Sequence, residues 1–294
     1  MRNKGISSRT QSSLVRRFVE RSGADPEESS PEEAMAELIE RARGRQIRNY
    51  DHQLQQVLRD RRVVSVEFVS DLGCDGMLEP IGPAFSDGFR MQLKKNASSE
   101  RARFTMAHEV CHTFFYELVP EMKFKVHATD AAEEHLCNFG AAALLIPAPP
   151  LRKKIKRMAI CLESLEQLAR VYAVSLPTML LRLRSLGLWK CQLSRWHRTA
   201  SGDFLLDRLY GGRQAEWQWE DASLLRRVWE SNAPVYGDSF VYIESSNGTR
   251  WFKPIAYNVQ RSRDGAIALW GNGIKPRKPD HPLLDATRPA RSTS

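Results

Sequence analysis

The sequence predicts an α+β fold built in more than one part, and three observations predict it. A β-branched, alternating stretch over residues 63–94 gives way to two helical patterns at 99–118 and 131–145. A pair of shorter helical patterns follows at 163–186, and three further strand patterns come after residue 239. Strands and helices gathered into separate runs indicate α+β layers rather than alternating βαβ units. The length of 294 residues suits about two domains at roughly 150 residues each. No unit of 20–50 residues recurs, so repeat architectures are excluded.

Each element has a local cause. Residues 1–22 form a basic helical pattern, and Gly23 to Ser30 reads as a linker. Ser30 is a good N-cap, with Pro31 at the first helical position and Glu33 where a capping box requires it; that helix reaches about Arg43. Val63 to Val69 is a β-branched strand. Phe89, Met91 and Leu93 alternate with Arg90, Gln92 and Lys94, the mark of a half-buried strand. From Ser99 to about Leu118 the period turns helical, with Phe104, Ala107, Cys111 and Phe114 at i, i+3, i+7 and i+10. A second helix covers Ala131 to Leu145, ended by Pro147, Pro149 and Pro150. All seven Trp lie at or after Trp189; Trp217, Trp219, Trp251 and Trp270 read as core in preference to a docking surface. A short helix over Asp221–Ser231 precedes strands at Phe240–Glu244 and Arg250–Ile255, joined through an Asn247-Gly248 hairpin signal, and a third at Ala266–Trp270. Residues 271–294 read as a disordered tail.

Composition excludes several classes. With 42% apolar and 27% charged residues the chain is an ordinary globular one. Its most apolar stretch, Gly140 to Pro147, is far short of the ~20 residues of a membrane span. The basic start lacks an apolar segment behind it, so no secretory leader is expected. The five cysteines, at 74, 111, 137, 161 and 191, are odd in number and never paired as CxxC. They indicate free thiols in a reducing cytoplasm.

The chemistry is concentrated in His108-Glu109-Val110-Cys111-His112, an HExxH motif on a helix. Residues i and i+4 share a face, so both imidazoles can reach one ion while Glu109 stands beside it, able to hold a water. A zinc hydrolase needs a third protein ligand and an open fourth position. The helix from Ala131 offers Glu133, Glu134 and His135. Glu134 is preferred, because Asn138 stands four residues on over the same face and can orient a ligating imidazole. Glu133 suits complementation of the helix dipole, and the choice between the two glutamates stays open.

These segments, Arg103-Phe-Thr-Met-Ala-His108-Glu-Val-Cys-His112 and Glu134-x-x-Cys137-Asn138-x-x-Ala141-Ala142-x-Leu144-Leu145-Ile146-Pro147, resemble the ImmA/IrrE family of metallopeptidases. The typical family helices read RFTxAHExGH and ExxANxFAAxLLMP, and the lead-in from Asn96 to Arg103 is similar as well. The resemblance covers about residues 30–190. It implies a zincin-like fold, a small sheet plus the HExxH helix, with His108, His112 and Glu134 holding Zn2+ and Glu109 as catalytic base. Cys111 stands for the usual Gly, Cys137 for the usual Ala and Gly140 for the usual Phe; Cys111 reads as a buried small apolar residue. Zinc would polarise the scissile carbonyl and acidify the attacking water, and Glu109 would carry its proton to the departing amine. The Phe89–Lys94 strand is expected to pair with the extended substrate. No oxyanion donor is evident; His127 is a lone loop histidine.

Net charge is +9, and one segment matches it. Residues 1–150 hold 20 basic and 22 acidic side chains, residues 151–198 hold 11 and 2, and residues 199–294 hold 13 and 11. The basic segment opens with Arg152, Lys153, Lys154, Lys156 and Arg157, then reads as a helix-turn-helix around Ala173 and Ser175 with Arg182 and Arg184 on its second helix. Similar units follow the protease domain in the ImmA/IrrE family. The second helix has few base-reading amides, so nonspecific DNA contact or partner electrostatics is favoured over sequence reading.

The expected domains are 1–30 (basic helix and linker), 31–150 (zinc metallopeptidase), 151–198 (helix-turn-helix), 199–270 (small Trp-rich α+β domain) and 271–294 (tail). The resemblance implies a cytoplasmic zinc endopeptidase that cleaves a helix-turn-helix transcriptional repressor, inducing stress or mobile-element genes. The alternative is a DNA-binding regulator whose metallopeptidase domain is a sensor or relic.

Overall fold

The computed structural model describes residues 12–25, 27–44, 50–123, 130–212, 218–219, 222–244 and 250–275. The chain divides into two compact units, residues 1–147 and 148–294.

The first unit opens with α1 (Ser13–Ser22), α2 (Pro31–Arg43) and α3 (Tyr50–Asp60). Strands β1 (Val63–Val69), β2 (Gly76–Ile81) and β3 (Gly88–Lys94) follow, then α4 (Ser99–Leu118), the short α5 (Pro120–Lys123) and α6 (Ala131–Leu145). The capping box at α2 is formed: Glu33 N–H donates to Ser30 Oγ at 3.2 Å and Ser30 N–H to Glu33 Oε2 at 2.8 Å. At the starts of α4 and α6, Ser98 accepts from the Arg101 N–H and Asp130 from the Ala132 N–H.

The sheet order is β1-β3-β2, with β1 parallel and β2 antiparallel to β3. The alternation in β3 buries Phe89, Met91 and Leu93. Both edges of β3 are hydrogen-bonded, so it cannot receive a substrate strand, contrary to the sequence expectation. Alternation reveals the buried face of a strand and says nothing of its edges. The outer edges belong to β1 and β2, and β2 is the one beside the cleft.

α4 and α6 form the centre of the core, with Ala107, Val110, Cys111, Phe114, Leu136, Cys137, Ala141 and Leu144 buried. Phe104, the first residue of the predicted stripe, is only half-buried. Helix α1 belongs to this unit and stacks Phe18 on Phe115 of α4 at 4.2 Å.

The second unit begins with α7 (Ala148–Ile155), where Pro149 and Pro150 occupy the first turn, a position that needs no N–H donor. α8 (Leu162–Tyr172) and α9 (Leu176–Ser185) are two helices joined by a short turn, with Ala173 left-handed at φ 49° and Ser175 capping α9. β4 (Cys191–Arg198), β5 (Phe204–Tyr210), β6 (Gln218–Trp219), α10 (Ala222–Ser231), β7 (Val235–Glu244), β8 (Arg250–Ser262) and β9 (Gly265–Gly271) complete it. The antiparallel sheet runs β5-β4-β9-β8-β7-β6. Buried Asn258 of β8 accepts from the Leu162 N–H at 2.6 Å, tying the start of α8 to the sheet.

Trp270 is in the core of this sheet with Val228, Val259 and Ala268. Trp217, the Asn247-Gly248 turn, His127 and residues 1–11 and 276–294 lie outside the described residues. Residues 271–275, read from sequence as tail, belong to the fold: Gly271 ends β9 and Lys275 N–H donates to Ile160 O at 3.1 Å.

Candidate metal centre

Helix α4 carries His108 and His112 one turn apart, and α6 crosses beside it with Glu133, Glu134 and Asn138. The two Nε2 atoms lie 3.2 Å apart. Glu134 closes the triangle, with Oε2 at 3.2 Å from His108 Nε2 and Oε1 at 3.4 Å from His112 Nε2.

The opposite nitrogen of each ring is held from α6. Asn138 donates through Nδ2 to the Glu134 carbonyl at 2.9 Å, which fixes its amide so that Oδ1 faces His108 Nδ1 at 3.1 Å. Glu133, 2% exposed, accepts from His112 Nδ1 at 2.7 Å. Both rings are therefore assigned the Nδ1–H tautomer, and both Nε2 lone pairs point into the same space. Burial, reinforced by the neighbouring His112, pushes His108 below the ordinary histidine range against the opposing pull of Glu134 and Asn138. A neutral imidazole is the form that ligates metal.

Two facing lone pairs and a carboxylate repel one another unless a cation lies between them. Ligand bonds of about 2.0–2.1 Å in tetrahedral geometry place neighbouring donors roughly 3.3 Å apart. The observed 3.2, 3.2 and 3.4 Å edges fit that spacing. Among the described residues a second group of donors, on His112, Glu133 and Cys137, also converges. It is fully buried, and its His112 nitrogen is already engaged by Glu133.

The triad opens into a cleft of about 570 Å³ lined by Gly76, Met77 and Leu78 of β2, by Phe104, Thr105, Glu109 and Tyr116 of α4, and by the histidines. Glu109 is 7% exposed, a carboxylate enclosed beside the donors. Tyr116 extends the His108–His112 stripe by one more turn, its ring 5.4 Å from Phe89. The dipole role read for Glu133 omits its bond to His112. That bond depends on how α6 is rotated against α4, which no local pattern reveals. Tyr116 could have been found by continuing the i+4 stripe past His112. Cys111 is fully buried, its thiol donating to Ala107 O at 3.2 Å and raised by burial well above the ordinary thiol range.

The basic residues divide. Arg152, Lys153, Lys156 and Arg157 are exposed and Lys154 half-exposed, on α7 and the turn after it. Arg182 is 4% exposed, and Arg184 donates inward to the Cys191 carbonyl at 2.5 Å. Arg182 is thus not presented to a nucleic acid as the sequence expectation had it, while Arg184 is half-buried. The spacing of α9 separates its faces but does not show that the sheet covers the arginine side.

Residues 77–184 match the family model described as the IrrE N-terminal-like domain of Peptidase M78. The radiation response metalloprotease IrrE of Deinococcus deserti is 35% identical over 96 residues, 31% of this chain and 34% of that protein. Its namesake in Deinococcus radiodurans is 32% identical over 96 residues, 31% and 29% of the respective lengths. The chain thus spans about a third of the length of these relatives. A Mycobacterium tuberculosis transcriptional regulator of known structure shares the fold, with a TM-score of 0.52 at 13% identity over 87% of this chain and 79% of that one. Residues 77–184 are thus similar to the IrrE N-terminal-like domain of the Peptidase M78 metallopeptidases.

Proposed function

We propose that this chain is a zinc-dependent endopeptidase whose substrate is a helix-turn-helix transcriptional repressor. The observation that carries the reading is the convergence of His108, His112 and Glu134 beside the enclosed carboxylate of Glu109, in a cleft bordered by the free edge of β2. His108, His112 and Glu134 would hold the ion, which when bound supplies Lewis-acid polarisation of the scissile carbonyl. The outer edge of β2, unpaired among the described residues, would align an extended peptide along the cleft. Glu109 accepts a proton from the attacking water and delivers it to the departing amine. Tyr116, which lines the same cleft, carries a hydroxyl that would donate to the developing oxyanion.

The repressor as substrate is drawn from the family resemblance, and the name of the Deinococcus relatives, radiation response metalloprotease, supports the peptidase part. The competing reading, a DNA-binding regulator, loses Arg182 as a surface contact and keeps the α7 cations and the half-buried Arg184. The test is incubation of the zinc-loaded chain with a repressor encoded beside it. Wild-type protein should cleave it, and Glu109→Gln should bind zinc and leave it intact. Cleavage by Glu109→Gln would overturn the mechanism.

No helix among the described residues is long and apolar enough to cross a membrane. The cytoplasmic setting is part of this proposal and follows from the unpaired cysteines.

A further inference from the structure

We propose that Gly76 is a positioning residue for the base: its missing side chain sets the gap between the substrate-bearing strand and the Glu109 carboxylate. The inference rests on the endopeptidase reading and adds a residue to it. Gly76 opens β2 and pairs with Leu93 of β3. Partners in an antiparallel ladder share a face, and Leu93 is fully buried, so that face looks onto α4. There, Thr105 and Glu109 lie one helical turn apart on the same side.

A methyl group built on Gly76 would overlap Thr105 Cγ2 and sit 2.8 Å from Glu109 Oε1 and 3.1 Å from Glu109 Cγ. The Gly76 φ is outside the left-handed region, so the glycine is required by space and not by backbone conformation.

The strand is held from withdrawing. Lys94 N–H donates to Asp75 O at 2.9 Å, and Arg101 of α4 donates to Asp75 Oδ2 at 2.9 Å through Nε and 2.5 Å through Nη2. The Cys74 thiol donates to Gly76 O at 3.0 Å. Thr105 is buried and β-branched, with few rotamers to retreat into. Of the two neighbours, the far end of Glu109 yields more easily; the overlap with Thr105 Cγ2 adds to the crowding and is what Thr105→Ser removes. An added methyl therefore displaces the carboxylate along the cleft while leaving the histidines, which project from a neighbouring stripe of α4, where they are. Misplacement of a catalytic group by about 1 Å can lower the rate on the order of 100-fold.

The experiment compares Gly76→Ala with wild type in the full chain. Zinc stoichiometry should be unchanged, kcat for repressor cleavage should fall by about 10- to 100-fold, and KM should change far less. Adding Thr105→Ser, which removes the overlapping Cγ2 and keeps the hydroxyl, should restore part of the lost kcat relative to Thr105→Ser alone. A crystal structure of Gly76→Ala should show the Glu109 carboxylate moved with His108, His112 and Glu134 in place. Unchanged kcat, or a carboxylate in its original position beside a shifted β2, would overturn the inference. So would a Gly76→Ala chain that fails to fold even with Thr105→Ser. If wild type cleaves nothing, the endopeptidase reading fails, and the position of the Glu109 carboxylate in the variant still decides the role of Gly76.

Discussion

Two adjacent glutamates at the start of α6 do different work. Glu134 faces the Nε2 atoms of both histidines, while Glu133 is buried against the far nitrogen of one of them. Removing them should therefore have different consequences. Glu134→Ala should abolish stoichiometric zinc binding, whereas Glu133→Ala should retain zinc with affinity reduced about 10- to 100-fold, as measured by chelator competition. The reverse order would assign the ligand to Glu133. The HExxH stripe and the pairing of Glu134 with Asn138 were legible in the sequence, since each lies within a single helix and follows its period. The contact between Glu133 and His112 was not, because it depends on the offset between two helices far apart in the chain. The inward turn of Arg182 and Arg184 was hidden for the same reason.

At the scale of elements, α4 and α6 approach closely because position 140 has no side chain. A methyl there would lie 2.7 Å from Cys111 Sγ and 3.1 Å from Met35 Cγ. The family pattern places a small residue at 111 and a large one at 140, and this chain reverses the sizes. Gly140→Ala should cost about 1–3 kcal/mol by overpacking, read from urea unfolding. Combined with Cys111→Ala it should cost less than the sum of the single changes, a coupling expected for residues in contact. Strict additivity would show that the two sites do not share the space. The bounds of α4 and α6 were readable because periodicity and caps agree there. β2 was not, because Gly-Met-Leu-Glu-Pro-Ile carries a glycine and a proline and no clean alternation. α7 was missed because Pro149 and Pro150 signal the end of one helix and the first turn of the next equally well.

For the molecule as a whole, the positive excess of residues 151–198 lies largely at the surface, with Arg182 its one buried basic side chain. Of the residues singled out there, those from Arg152 to Arg157 are the most open, Arg184 is half-buried and Arg182 is buried. Neutralising Lys153, Lys156 and Arg157 to Gln should weaken binding to duplex DNA at low salt. It should also flatten the salt dependence by about 0.9 log units per lost phosphate contact, with zinc content unchanged. An unaltered salt slope would place any DNA contact elsewhere. The central claim, however, is the metal centre, where two groups of donors share His112 and only one opens onto the cleft. Anomalous diffraction at the zinc absorption edge on crystals of the zinc-loaded chain tests it most directly. The account predicts a single peak bounded by His108 Nε2, His112 Nε2 and the Glu134 carboxylate. A peak among His112 Nδ1, Glu133 and Cys137, or none at either group, would contradict it.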